Sequence, residues 1–565
     1  MAFGYSPSYC SFWRTLLGLY CLFTLVHTVI STPPEDPVKC VSGNTNCIVT
    51  NSLGAFPDRS TCRAANVAYP TTEAELVSIV AAATKAGRKM RVTTRYSHSI
   101  PKLTCTDGND GLFISTKFLN HTVQADAKAM TLTVESGVTL RQLIAEAAKV
   151  GLALPYAPAV HDYVTEIRMV SPGSVNDGFA KIRVLSETTT PNEFNAAKVS
   201  LGVLGVISQV TFELQPMFKR SLKYVMRNDL DFNDEALTFG KKHEFADFVW
   251  LPSQGKVVYR MDDRVAVNTL GNGLYDFFPF RSQLSAVLAT TRSSEETQET
   301  LRDAHGKCVT ATTISSTLFS TSYGLTNNGI TFTGYPVIGS QNRMMSSGSC
   351  LDGLEDKLTS ACAWDSRVKG VFYHQTTFSI PLTQVKSFIN DIKSLLKIDS
   401  KSLCGLELYY GILMRYVTSS PAYLGKETEA IDFDITYYRA NDPLTPRLYE
   451  DFIEEIEQIA LLKYNALPHW GKNRNLAFDG VIKKYKNAPA FLKVKESYDP
   501  NGLFSSEWTD QILGIKGNPT IVKDGCALEG LCICSDDAHC APSKGYLCRP
   551  GKVYKEARVC THVPK

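Results

Sequence analysis

The feature that most restricts what this chain can fold into is a strand-and-helix unit that occurs twice between Thr72 and Gly151. In the first, Thr72 and Glu75 form a T-x-x-E capping box, Leu76, Ile79, Val80 and Ala83 recur at helical spacing, and Gly87 suits the stop. A strand-like run from Lys89 to Thr93 follows. In the second, Met130, Leu132 and Val134 alternate as in a half-buried strand. Thr139 and Gln142 then make another capping box, and Leu140, Leu143, Ile144 and Ala147 form a stripe that ends before Gly151. Alternation of this kind confines the domain to an α/β or α+β architecture.

The chain has 565 residues, 44% hydrophobic and 20% charged, which is ordinary globular content and enough for two or three domains with their own cores. A net charge of +3 with no basic stripe argues against nucleic acid as a partner. At the amino terminus, Arg14 precedes the apolar run Leu16 to Ile30, followed by Ser31, Thr32, Pro33 and Pro34. Residues 1–31 read as a secretory signal peptide, because the run is shorter than the roughly 20 residues that span a bilayer; a retained anchor is the alternative. No stable membrane insertion is expected, and residues 32–61 form an amino-terminal extension.

Cysteine usage agrees with export. Of 16 cysteines, Cys10 and Cys21 fall in the leader, and the even number left predicts disulfides. Asn120-His121-Thr122 is a glycosylation acceptor in the same compartment. Cys526, Cys532, Cys534, Cys540, Cys548 and Cys560 lie in a tail, residues 514–565, with too few large apolar residues to build a core. Crosslinks are one reading. Zinc, with His539 and His562, is the other, against which stands the absence of any C-x-x-C pair; no metal is expected.

Between these ends, Phe245 to Tyr259 alternates like a strand, and helices are predicted over Val385 to Leu396 and Pro446 to Leu462, the second capped by Thr445. This is a second domain of helices on a sheet, residues 217–513. Walker, nucleophile-elbow and H-E-x-x-H motifs are absent. Gly202 and Gly205 offer backbone without side chains, which serves either close packing of helix on strand or approach to a flat ligand. His98, between Ser97 and Ser99 after a strand, is either a surface histidine in a turn or a ligand-holding one.

Several segments together carry a family resemblance: Cys62-RAANVAYPTTEAELVSIV, the run through His98, Thr131-LTVESGVTLRQL and Phe194-NAAKVSLGVLGVISQVTFELQP. They resemble the FAD-binding domain of the vanillyl-alcohol-oxidase-type flavoproteins. His374-QTTFSIPL, Leu467-PHWGKNRN and Asp499-PNGLFSSEW are similar to that superfamily's sugar-lactone oxidases, and the leader and tail to the plant L-gulonolactone oxidases. The resemblance implies an α+β fold: a two-subdomain PCMH-type FAD domain over residues 62–216, an α+β cap and the disulfide-rich tail. It implies oxidation of a small sugar lactone, L-gulono-1,4-lactone, by FAD and molecular oxygen, giving L-ascorbate and hydrogen peroxide. The alternatives are another aldonolactone or a sugar alcohol as substrate, or a secreted protein without activity.

Carried over residue by residue, His98 stands where relatives join a histidine of a G-G-G-H-S run covalently to the flavin, although Arg95, Tyr96 and Ser97 replace the glycines. Ser99, Gly137, Gly202, Gly205 and Val206 complete the expected FAD contacts. In the cap, His469 and Lys472 match an H-W-x-K motif beside substrate and flavin, with Trp470 as either part of the site or a core anchor. Arg415 matches the arginine of an E-x-R pair whose carboxylate position is Leu413; Glu407 is the upstream carboxylate that could compensate. One departure is larger. A segment of the type G-G-x-x-G-T-G-x-H-G-S, which lies against the FAD pyrophosphate in relatives, is missing between Pro158 and Val160.

Overall fold

The computed structural model describes residues 36–49, 58–94, 102–155, 160–275, 283–322, 324–345, 360–361 and 373–564. The amino-terminal part contains two five-stranded sheets. In the first, the order is Val38–Ser42, Thr45–Val49, Cys62–Ala68, Leu112–Ser115 and Met90–Thr93. The last three run parallel, joined by the crossover helix Glu73–Lys85. Thr72 caps this helix by accepting from the Glu75 N–H, whereas Glu75 reaches back to the N–H of Thr71, so one arm of the expected box forms. Both arms of the Thr139 and Gln142 box are present. The second sheet is antiparallel, in the order Ala180–Ser186, Val164–Pro172, Val206–Glu213, Thr131–Glu135 and Thr122–Asp126. Helix Glu73–Lys85 separates the sheets: Leu76 and Val80 pack with Met90 and Ile114 of one and Val170 and Val206 of the other.

The second domain is built on an eight-stranded antiparallel sheet whose two faces differ in chemistry. Phe248, Trp250, Met414, Ile431 and Phe433 point to one face, under helix Val385–Ile398 and helix Glu450–Gln458. Their alternate neighbours Asp247, Arg415, Asp432 and Asp434 form the other. Two sequence expectations are corrected here. The Phe245 to Tyr259 run is two strands, Asp247–Leu251 and Lys256–Val265, because Pro252–Gln254 makes a tight turn with Gly255 in the left-handed region. The helix expected from Pro446 begins at Glu450, since Thr445 donates its hydroxyl to Asp442 and Tyr449 adopts a positive φ of 58°.

After this sheet the chain returns to the first domain. Phe478, Val481, Tyr485, Phe491 and Trp508 join a core with Leu132, Ile144 and Phe194, and the Met90 N–H donates to the Leu503 carbonyl at 2.7 Å. The tail holds three disulfides, Cys526–Cys532, Cys534–Cys548 and Cys540–Cys560. This pairing takes up every sulfur that a zinc ion would need. Three further bridges, Cys40–Cys47, Cys62–Cys105 and Cys308–Cys404, staple the two domains internally. No helix among the described residues is long and apolar enough to cross a membrane.

Candidate active site

Parallel strands Met90–Thr93 and Leu112–Ser115 end side by side, with Thr93 opposite Ser115. The hydroxyls of Thr93, Ser115 and Thr104, and that of Ser136 on the second sheet, are buried without a hydrogen-bond partner in the described protein. Such orphans are uncommon, and the carboxyl ends of parallel strands are where dinucleotides bind. Gly137 brings the two sheets together at this level: a Cβ there would lie 2.1 Å from the Thr116 carbonyl oxygen, and its N–H donates to Leu119 O at 2.7 Å. The donor set thus fits a group rich in acceptor oxygens.

Arg91, which sequence reasoning did not single out, organises the same strand end. Its buried guanidinium donates to the carbonyls of Leu103, Leu201, Gly202 and Phe504, tying three chain segments together. Burial pulls its pKa down to about 10, still a cation at neutral pH. Gly202 takes a φ of +68° to aim its carbonyl at this guanidinium. At Gly205 a Cβ would sit 2.4 Å from the Val170 carbonyl oxygen, so that glycine admits protein backbone. Val206 is fully buried in the core. Arg95, Tyr96, Ser97, His98 and Ser99 lie outside the described residues, in the connection that leaves the Met90–Thr93 strand.

On the cap sheet, register places Arg260, Asp247, Arg415 and Asp432 in one row across four adjacent strands, alternating in charge. Arg260 pairs with Asp247 at 2.8 Å, and Lys426 with Asp432 at 2.5 Å. Asp434, one step along its strand, gathers the rest: it pairs with Lys472, accepts from Gln375 Nε2 at 3.1 Å and lies 3.9 Å from Arg415. Burial alone would raise the Asp434 carboxyl, but the charges of Lys472 and Arg415 outweigh it and hold the group below the usual aspartate range. Lys472 and Arg415 therefore converge on one carboxylate that no motif announced. Glu407 is elsewhere, accepting from the Ser253 and Gln254 N–H groups and the Gln254 amide, and burial lifts it to about 7. It does not replace the missing carboxylate.

His469 is exposed, but the density of protein around its ring and the Lys472 charge press its pKa down to about 4, so the ring is neutral at pH 7. Its Nδ1 accepts from the Gly471 N–H at 3.0 Å. The ring proton therefore sits on Nε2, which makes His469 a donor. Trp470 is an anchor, stacked between Phe478 and Tyr485 with its indole N–H on Leu424 O. The adjoining loop reaches the first domain, where the Tyr423 N–H donates to Asn195 O at 3.0 Å.

Comparison with known proteins matches each part in turn. An FAD binding domain family covers residues 64–173, the segment that carries the orphaned hydroxyls, and the D-arabinono-1,4-lactone oxidase family covers residues 210–512, more than half of the chain. Together these make the protein an FAD-dependent oxidoreductase. A domain described as L-gulonolactone oxidase 2-like, C-terminal, covers 523–562. The chain is 96% identical to L-gulonolactone oxidase 5 of Arabidopsis thaliana over 590 residues, with 100% of both chains covered. It is 82% identical to L-gulonolactone oxidase 2 of the same plant over 588 residues, covering 100% of this chain and 99% of the relative. A cholesterol oxidase described as solvent-stable superposes with a TM-score of 0.62 over 86% of this chain and 100% of its own, at 14% identity, which speaks to fold alone. The chain belongs to the FAD-dependent aldonolactone oxidase family, in the branch of the plant L-gulonolactone oxidases.

The match to the 96% relative runs over 590 positions whereas this chain has 565 residues, so about 25 positions of the alignment have no residue here. The sequence reading puts a loss between Pro158 and Val160. Residues 156–159 lie outside the described ones, and the chain on both sides is tightly held. Gln341 donates to the carbonyls of Leu154 and Pro155 at 3.0 Å each, and a short helical turn, Val160–Tyr163, leads into the strand from Val164.

Proposed function

We propose that this chain oxidises L-gulono-1,4-lactone with molecular oxygen, forming L-ascorbate and hydrogen peroxide. The observation that carries the reading is the convergence of Lys472, Arg415 and Gln375 on Asp434 at the charged face of the cap sheet. When bound, FAD supplies the hydride acceptor and the route of both electrons to oxygen. The chain's own groups do the rest. Lys472 and Arg415 present fixed positive charge that holds a substrate hydroxyl and stabilises its oxygen as the proton leaves, in surroundings where such charge acts strongly. His469 offers its Nε2 proton as a neutral donor and orients a hydroxyl. On the cofactor side, the hydroxyls of Thr93, Ser115 and Ser136 would meet FAD oxygens, with Gly137 allowing the two sheets to approach.

His98 is proposed as the point of covalent attachment, with Arg95, Tyr96, Ser97 and Ser99 around it, because this stretch leaves the strand that ends at Thr93. Secretion through the leader over residues 1–31 is proposed as well; the six disulfides among the described residues support it. Asn120, directly before the exposed pair His121 and Thr122, is the proposed glycan site. The test is to express the chain without its leader, record the visible spectrum and precipitate the protein with acid. Colour that stays in the pellet supports attachment at His98. L-Gulonolactone, L-galactonolactone and a sugar alcohol are then supplied with oxygen or cytochrome c; peroxide and ascorbate from the first lactone are expected, and a colourless, folded product would end the reading.

A further inference from the structure

The family's E-x-R carboxylate position is Leu413 here, and the structure gives a physical reason why a carboxylate is absent from it. Leu413 lies opposite Val249, and with Val258 and Leu251 the two form an apolar cluster on that part of the sheet. A carboxylate at 413 would be desolvated by valine and leucine on one side. Across the other edge of the same strand, however, the residue in register with Leu413 is Asp434. The negative charge has therefore moved by one strand while remaining within reach of the arginine two residues beyond Leu413.

We propose that Asp434 is the positioning residue that holds Lys472 and Arg415 in their working arrangement, taking over from the neighbouring strand the part of the carboxylate missing at Leu413. The inference rests on the lactone-oxidase reading above. Among the described residues, the neighbouring carboxylates of this face are committed elsewhere, Asp432 to Lys426 and Ser379, and Asp247 to Arg260. Asp434 is nearly sealed, with 9% of its side chain exposed against 18% for Lys472 and 23% for Arg415. It thus faces inward while its partners remain reachable. Lys472 and Gln375 donate to it and the Arg415 guanidinium lies 3.9 Å away, so three chain segments meet at one carboxylate, and its loss would remove the counter-charge that Lys472 and Arg415 share.

The experiment compares Asp434→Asn and Asp434→Glu with the wild type, each loaded with FAD, by anaerobic stopped flow with L-gulono-1,4-lactone. Asp434→Asn is expected to keep its flavin spectrum and to reduce flavin about 100-fold more slowly. Asp434→Glu should recover at least about a tenth of the wild-type rate, which a purely steric role would not produce. A second readout needs neither flavin nor turnover: acetylation of Lys472 in the cofactor-free chain, followed by peptide mapping, should be several-fold faster in Asp434→Asn because the ammonium has lost its partner. Should Asp434→Asn fold poorly, Asp434→Ser takes its place beside Asp434→Glu, with the same slow reduction expected for the serine variant and the same recovery for the glutamate. Rates in Asp434→Asn within about threefold of wild type, unchanged Lys472 acetylation, or an Asp434→Glu variant without recovery would overturn the assignment. A wild-type enzyme that holds FAD but is not reduced by the lactone sinks the functional reading instead, and leaves the Lys472 acetylation result to decide the role of Asp434.

Discussion

Lys472 and Arg474 are two residues apart, and each pairs with a carboxylate, but they belong to different kinds of environment. Lys472 reaches Asp434 on the charged face of the cap sheet and stays 18% exposed. Arg474 is completely enclosed: it pairs with Glu457, lies over the Tyr437 ring and reaches the Leu528 carbonyl under the cysteine-rich tail. Asn473 separates them, donating to Thr376 and accepting from the His469 N–H, so its neighbours are sent in different directions. The difference teaches that an ion pair's use depends on what else can reach it. A sealed pair is committed to its partner and holds two parts of the fold together, whereas a reachable one can turn its charge toward a ligand.

The tail junction shows the sealed case in full. Every residue of helix Glu450–Gln458 is buried. Glu455 accepts from the Val553 and Tyr554 N–H groups, Glu454 from that of Cys560, and Glu529 of the tail pairs with Arg439 and Arg59. Two carboxylates of this acidic helix thus find their donors in the backbone of a disulfide-held segment, while Glu450, Asp451 and Glu457 pair with Arg447, Lys552 and Arg474.

The sharpest way to break the contrast is Arg474→Met, which strands Glu457 without a counter-charge. It should lower unfolding free energy by about 3–5 kcal/mol in denaturant titration, with flavin reduction of the folded fraction unchanged; a selective loss of rate would erase the distinction from Lys472. Next, opening the Cys540–Cys560 bridge, whose cysteines are 20 residues apart, by the double change to serine should remove about 3 kcal/mol. Limited proteolysis should then cut the tail before the two domains. Lys472→Met should do the opposite of Arg474→Met: flavin reduction about 100-fold slower, equal to about 2.7 kcal/mol of barrier, with a small change in melting temperature because Asp434 keeps Arg415 and Gln375.

The smallest effect concerns pH. Burial raises the carboxyl of Glu450 to about 7 and that of Glu454 well above its ordinary value, so both favour the protonated form when folded. For Glu450 that contribution to stability is fully present below about pH 4.5, where the unfolded chain also binds the proton, and is lost as pH rises through 7; for Glu454 it runs in the same direction, falling as pH rises. Glu454→Gln keeps an acceptor for the Cys560 N–H and should gain stability relative to wild type between pH 5 and pH 8, by about 1 kcal/mol or more. Melting curves at the two pH values measure the difference directly.

Much of the first domain was legible because its signals are local. The cap of helix Glu73–Lys85, the Thr139 and Gln142 box and the stop at Gly151 each depend on residues within one turn of each other. The expectation for His469 and Lys472 rests on the family resemblance of a short motif, and the structure brings Lys472 to Asp434. Arg91 and Asp434 were not legible, since their partners lie across strand pairings or in segments hundreds of residues away. Glu407 illustrates the converse error: near Arg415 in sequence, it is drawn instead to the free N–H groups of the Pro252–Gln254 turn.

From the sequence came the two helices of the first domain with their caps at Thr72 and Thr139, the strand alternation after Phe245, and a tail whose cysteines take the place of an apolar core. These follow from periodicity and composition, which act over a few residues. Only the tertiary structure decided which carboxylate answers Lys472 and Arg415, which cysteines join in the tail, and whether a charged side chain ends in a sealed junction or in a pair that stays partly exposed. Those outcomes depend on strand order and register, which bring together groups far apart in the chain.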